Sequence, residues 1–222
     1  MAQVDAELRL QKMEAVHEVE NLLGRYEFYH LANLHRECLD LYALDTEGVK
    51  IEMDWGVFEG REGVERFFLH YLGGADPAAE RARRDTGGLH LHSLTTPLIE
   101  VADDLQTARG LWTSPGNETI PTGPGGSFRA YWIWIKYGVD FVRENGEWKI
   151  WHQATCNLFM TPYETSWAAA EPMPPRRELP PHRAPDRVPP QPPAWRYAVD
   201  KVLPNLPEPP EPYASFDQTG SY

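Results

Sequence analysis

Asn145-Gly146 joins two long stretches, residues 128–143 and 147–158, whose apolar and aromatic content suits strands. Asn followed by Gly is the strongest short hairpin signal, because both accept the positive φ that a type I′ turn requires. Two strands of this length commit the chain to an antiparallel sheet with one face to bury. Upstream the period differs. Val16, Val19, Leu23, Tyr26 and His30 recur at steps of three and four, the stripe of a helix packed on a core. Asn33 reads as the N-cap of a second short helix through Ala43, and Val64, Phe67, Phe68 and Tyr71 mark a third. Val49, Ile51 and Met53 alternate with polar residues before Trp55-Gly56 turns into Val57 and Phe58, which predicts a hairpin. A strand is expected through 88–101, a turn at Asp103-Asp104, a strand over 105–114, and a Gly/Pro loop from Pro115-Gly116-Asn117 to Gly125-Gly126. Helices that precede most of an antiparallel sheet make the class α+β.

At 222 residues and 41% hydrophobic content the chain can bury one good core, and 15 of its 21 prolines lie from Pro172 onward, where hardly any apolar period remains. The division predicted is a folded domain over 1–165 and an extended Pro-rich arm over 166–222. Trp195, Tyr197, Val202, Leu203, Tyr213, Phe216 and Tyr222 are spaced as anchors that would dock such an arm on its own or a neighbouring subunit. The formal charge of −12 repels phosphate, so neither nucleic acid nor an anionic membrane is expected as a partner. The first twelve residues lack the apolar core of a signal peptide, and Cys38 and Cys156 are too few for a disulfide framework. A cytoplasmic protein, assembled as a homo-oligomeric dimer or trimer, is the expectation.

Candidate chemistry centres on His90-Leu91-His92. Side chains alternate along a strand, so the two imidazoles share a face and form a candidate acid/base or metal site. The helical stripe ends on Tyr26 and His30, with Tyr29 beside them, where a purely structural helix would carry Leu. On the last strand Trp148, Ile150 and His152 share a parity, so His152 is expected inside if Trp148 is. Residues 131–137 are aromatic on both faces, with Tyr137 toward a ligand and Lys136 either functional or reaching to solvent. Trp55, Trp112 and Asn117 could line the same mouth. His-x-His also occurs in metal-binding cupins, but Thr96 and Pro97 stand where a ligand Glu would be needed, so no metal and no cofactor are expected.

The order of helices, the turn Phe58-Glu59-Gly60-Arg61-Glu62-Gly63, the His strand running into Ile99-Glu100-Val101, and the closing segment from Asp140 to Ile150 together resemble the nuclear transport factor two-like, or SnoaL-like, superfamily that includes scytalone dehydratase. The resemblance spans about residues 14–158. It implies a conical half-barrel, a strongly curved mixed or antiparallel sheet closed by N-terminal helices, with a deep apolar pocket. It also implies a catalytic His at position 92, commonly paired with an Asp late in the first helix. Here Tyr29, His30 and Leu31 stand where that Asp is expected. The Pro-rich tail and the missing Asp are similar to the lyases that remove formaldehyde from lignin-derived diarylpropane diols. The function expected is a cofactor-independent lyase acting on a small aromatic substrate. His92, His30, Tyr29 and Lys136 would be catalytic, and Tyr26, Trp55, His90, Trp112, Asn117, Tyr137 and His152 would bind substrate. A noncatalytic aromatic-ligand binder of the same fold is the alternative, and a cupin-type oxygenase the less favoured one.

Overall fold

A computed structural model describes residues 6–76, 78, 87–122, 127–169, 178–190 and 193–222 of the chain. Helix α1 (Ala6–Leu31) buries Ala15, Val19, Leu22, Leu23, Tyr26 and Glu27 along one face. It ends where Asn33 takes φ 56°, a left-handed conformation that Asn tolerates better than most residues. Asn33 therefore stops the first helix and does not cap the second. Helix α2 (His35–Leu39) starts from Leu34, which makes no side-chain cap, and it is shorter than the sequence predicted. Helix α3 (Gly60–Glu65) runs on into a π-helical turn over Arg66–Tyr71, where Phe67 and Phe68 are buried.

Seven strands form one curved, unclosed sheet: β1 (Lys50–Met53), β2 (Gly56–Glu59), β3 (Leu89–His92), β4 (Thr95–Val101), β5 (Thr107–Pro121), β6 (Phe128–Glu144) and β7 (Glu147–Pro162). The order is β2-β1-β7-β6-β5-β3, with β4 also paired to β5. β1 runs parallel to β7, and every other pairing is antiparallel. The hairpin at Asn145-Gly146 forms as the sequence predicts, with φ of 54° and 86°. The α+β reading holds, and the half-barrel is a mixed sheet.

Two predicted boundaries are corrected. The expected strand over 88–101 is two strands, broken at Ser93-Leu94, because β5 exchanges partners there: His92 pairs Gly116, whereas Thr95 pairs Thr113. Pro115 sits at this handover, and its carbonyl accepts from Ser93 N at 3.1 Å. Its missing N–H therefore falls on the side where neither neighbour is in register, which is how a proline is tolerated in a central strand. The predicted loop from 115 is consequently strand as far as Pro121. Its Gly125-Gly126 end lies outside the described residues.

Inner-face residues Ala108 and Trp112 of β5, Ile133, Ile135, Tyr137, Val139 and Phe141 of β6, and Trp148 and Ile150 of β7 pack with α1 and the π-helical turn into one core. The described residues of 178–190 and 193–222 run along the outside of the molecule. Arg187 bridges to Val57, Tyr197 N donates to Leu158 O at 2.8 Å, and Asp103 N donates to Tyr213 O at 3.1 Å. Buried Asp54 receives Trp195 Nε1 and Arg196 Nη2, both at 3.0 Å. Trp195, Tyr197, Tyr213, Phe216 and Tyr222 are half-buried. Val202 and Leu203 are exposed and anchor nothing, 92% and 38% accessible. No described helix is long and apolar enough to cross a membrane.

Candidate active site

The C-terminal end of α1 meets the inner face of β3 and β5, and this junction gathers the groups capable of proton transfer. Strand β3 places His90 opposite Glu118 and His92 opposite Gly116 on β5. His92 is buried, with Nε2 3.3 Å from Glu118 Oε1. The His30 ring lies 5.8 Å from those of His90 and His92 and 6.3 Å from that of His35. On its other side it stacks on Tyr26, with centroids 5.9 Å apart and planes 3° from parallel. Four imidazoles thus converge from α1, α2 and β3. Among the described residues, no three or more His, Cys, Asp or Glu side chains are arranged to hold a metal ion.

Glu27 completes the cluster. It follows Tyr26 on α1, is buried to 8% exposure, and hydrogen-bonds the Tyr137 hydroxyl from β6. Burial pushes its carboxyl up to about 7, while the nearby His92 and the Tyr137 hydroxyl act in the opposite direction. Desolvation likewise holds His30 well below the usual imidazole range, and the neighbouring His92, His90 and His35 push the same way. His30 is therefore a neutral imidazole at neutral pH. Tyr137 is held well above its ordinary value, first by burial and then by Glu27. Three polar atoms here, Glu27 Oε1, His30 Nδ1 and His92 Nδ1, are buried with no hydrogen-bond partner. Such orphans are rare in a folded interior and mark a place where a polar ligand would be held. Exposure rises from buried Glu27 and His92 to half-buried His30 and His90 at the α1–β3 edge.

Several predicted site residues lie elsewhere. His152 is on the outer face. A bulge sets Ile150 opposite Phe141 but His152 opposite Asp140, so one step on β6 corresponds to two on β7, and the parity that began with Trp148 is reversed. Lys136 is also outside, donating from Nζ to Leu206 O at 3.0 Å. Asn117 pairs Leu91 and Trp132, between the inward positions Gly116 and Glu118, and faces out with them. Trp112 is fully buried edge-on against Phe141 and belongs to the core floor. Trp55 packs on Tyr71, 4.7 Å between centroids, far along the aromatic cluster. Tyr29 packs half-buried against the rim of the core.

The reading of the sequence missed Glu27, Glu118 and His35. Position 27 lies four residues beyond Leu23 and three before His30, so the helical stripe alone would have turned a carboxylate inward. Glu118 was hidden in the presumed loop. A separate open cleft of about 360 Å³ lies between the π-helical turn and residues 181–182. Of its ionisable residues Glu62, His70 and His182 are exposed and Glu65 and Arg66 half-buried, so it lacks the converging buried groups that distinguish the α1–β3 site.

The fold recurs in solved structures of low identity. Hexachlorocyclohexane dehydrochlorinase LinA-type3 of Novosphingobium barchaimii matches with a TM-score of 0.53 and 14% identity, over 75% of this chain and 99% of that one. A protein of Novosphingobium aromaticivorans assigned as a scytalone dehydratase matches at 0.51 and 16%, over 78% and 100%. Another from that organism, assigned as an aromatic ring hydroxylase, matches at 0.50 and 17%, over 68% and 94%. At such identity the likeness is one of fold. Among curated proteins, none matches. The sequence profile of the SnoaL-like domain matches residues 11–154, the span that contains α1 from its second turn onward, the whole of β3 to β6 and every member of the imidazole–carboxyl cluster, and the chain belongs to that family.

Proposed function

We propose that this protein is a cofactor-independent lyase that eliminates a hydroxyl group from a small hydroxylated aromatic compound, with His92 as base and Glu27 as acid. The observation that carries the reading is the buried Glu27 carboxyl, held near neutrality beside His92. A general acid and a general base both work best with pKa values near the working pH. With the proton of the neutral ring on Nε2, the nitrogen that faces Glu118 Oε1 at 3.3 Å, the lone pair of His92 is on Nδ1, which has no partner. Gly116 is what lets the ring sit there, since a Cβ would come within 2.8 Å of Nδ1.

In a dehydration, His92 takes a proton from carbon, the electron pair forms the double bond, and the hydroxyl leaves as water after Glu27 protonates it. The related cleavage of a diarylpropane diol uses the same two groups. His92 takes the proton of the primary hydroxyl, its carbon leaves as formaldehyde as the carbon–carbon bond breaks, and the benzylic hydroxyl departs with the Glu27 proton to give a stilbene and water. We favour this substrate class because the half-buried imidazoles of His30 and His90 can hold a second hydroxyl, and the rings of Tyr26 and Tyr137 flank the cluster. A dehydrochlorinase and an assigned dehydratase among the fold's relatives support elimination as the reaction type.

The test is turnover of aryl diols and benzylic alcohols by the parent and two variants. Glu27→Gln and His92→Ala should each lower kcat by about 10²-fold or more, the usual scale for a lost general acid or base. His90→Ala should cost much less. If Glu27→Gln and His92→Ala keep the parent kcat, the proposed pair is wrong. Tight binding of the same compounds without turnover by the parent would instead make the protein a binder.

A further inference from the structure

The outer face of the sheet carries a second polar cluster, centred on Asp140 of β6, three residues along the strand from inward-facing Tyr137. Asp140 on β6 is fully buried although it bears a carboxylate. Its Oδ2 receives His152 Nδ1 at 2.8 Å, Ser221 Oγ at 2.7 Å and the Tyr222 backbone N at 3.0 Å. Arg109 Nε lies 3.8 Å from Oδ1. Two of the three close donors therefore come from the end of the trailing segment. Arg109 is gripped in turn, with the Tyr213 ring at 4.6 Å and the Phe216 ring at 5.1 Å, and Nη2 donates to Asp217 O. Gly220 leaves no room for a side chain against the same guanidinium. The Tyr222 ring lies on Gly138, where a Cβ would approach it to 2.6 Å, and its hydroxyl donates to Glu208 O at 2.9 Å. Asp140, His152 and Ser221 are not a nucleophile relay, because Ser221 Oγ meets the same nitrogen, Nδ1, that Asp140 holds, at 2.9 Å.

These contacts read particular residues: a hydroxyl at 221, an aromatic ring at 222, no side chain at 138 or 220. They also fall on one stretch of β6. Lys136, Gly138 and Asp140 meet Leu206, Tyr222 and Ser221 on the outside, while Tyr137, between the first two, points inward to Glu27.

We infer that residues 204–222 are a sequence-specific latch whose receptor is the outer face of β5, β6 and β7, and that Ser221 and Tyr222 are positioning residues that hold Tyr137 against Glu27 from behind. The first half of this inference stands on the outer-face contacts alone, and the second rests on Glu27 being the acid of the proposed reaction.

The experiment uses the full chain and the double variant Ser221→Ala/Tyr222→Ala, with Ser221→Thr as the conservative control. Hydrogen exchange reads the latch, and a carbon-13 titration of the Glu27 carboxyl reads the site without any substrate. In the double variant, exchange of residues 213–222 should quicken at least tenfold while residues 15–26 of α1 keep their protection. The Glu27 midpoint should fall toward the ordinary carboxylate range, because loosening Tyr137 admits water and burial is the dominant cause of its elevation. Ser221→Thr should retain parent behaviour in both. Equal exchange in parent and double variant would overturn the latch. Faster exchange with an unmoved Glu27 midpoint would overturn the positioning role. A parent midpoint already in the ordinary carboxylate range would count against Glu27 as the acid, a different failure from either of these.

Discussion

Glu27 is the residue on which the site depends, and it has a measurable cost for the fold. Its carboxyl moves from an ordinary 4.5 in the unfolded chain to about 7 in the native one. Between those values the folded chain binds a proton that the unfolded chain has released, so stability falls as pH rises across that window and levels off above it. The shift corresponds to a loss on the order of 3 kcal/mol from below pH 4.5 to above pH 7, at 1.36 kcal/mol per unit. Glu27→Gln cannot ionise, so its denaturant-derived stability should lack this decline, and the two proteins should diverge most above neutral pH. Parallel pH profiles for parent and variant would show that Glu27 is not held protonated. In the proposed reaction the same titration works in the opposite sense: an acid role needs the protonated form, so kcat/KM should drop as pH rises through about 7.

Among the elements, the β6–β7 hairpin shows what a sequence can and cannot specify. Asn145 and Gly146 adopt the positive φ that their identities allow, and Gly146→Ala should cost about 1 kcal/mol or more by thermal denaturation, since its φ of 86° strains any side chain. A melting temperature equal to the parent's would mean that the turn contributes nothing. The helical stripe of α1, the β1–β2 hairpin and the α+β order were legible because each is a local period or a local turn. The bulge before His152 was not. It depends on how β7 meets Asp140 across the ladder, and one inserted residue moved His152 from the expected pocket to the outside. Pro115 misled for a related reason, because its harmlessness depends on two other strands changing places beside it. The imidazole pair was readable from alternation within β3. Glu118 was not, since it lies in a segment whose proline and glycine argued for a loop. Glu27 lies within reach of the helical period, but Tyr26 and His30 already account for the stripe, so the period alone does not single it out.

At the scale of the whole molecule, both faces of the sheet are occupied, with the imidazole–carboxyl cluster inside and the trailing segment outside. Asp54 shows how firmly that segment is held: Trp195 and Arg196 each donate to a carboxylate that is 5% exposed, and the Asn157 N adds a third bond at 3.2 Å. Arg196→Ala would leave a buried anion short of its counter-charge and should destabilise the protein by about 2 kcal/mol in denaturant titrations. A change within error would place the segment off the sheet in solution. The central claim is that folding brings a carboxyl from α1 and an imidazole from β3 into electrostatic contact. The most direct test is the carbon-13 titration of Glu27 in the parent and in His92→Asn. The account predicts a midpoint of about 7 in the parent and a higher one without His92, because the imidazole is what restrains the effect of burial. A parent midpoint in the ordinary carboxylate range, or one that does not move when His92 is replaced, would contradict it.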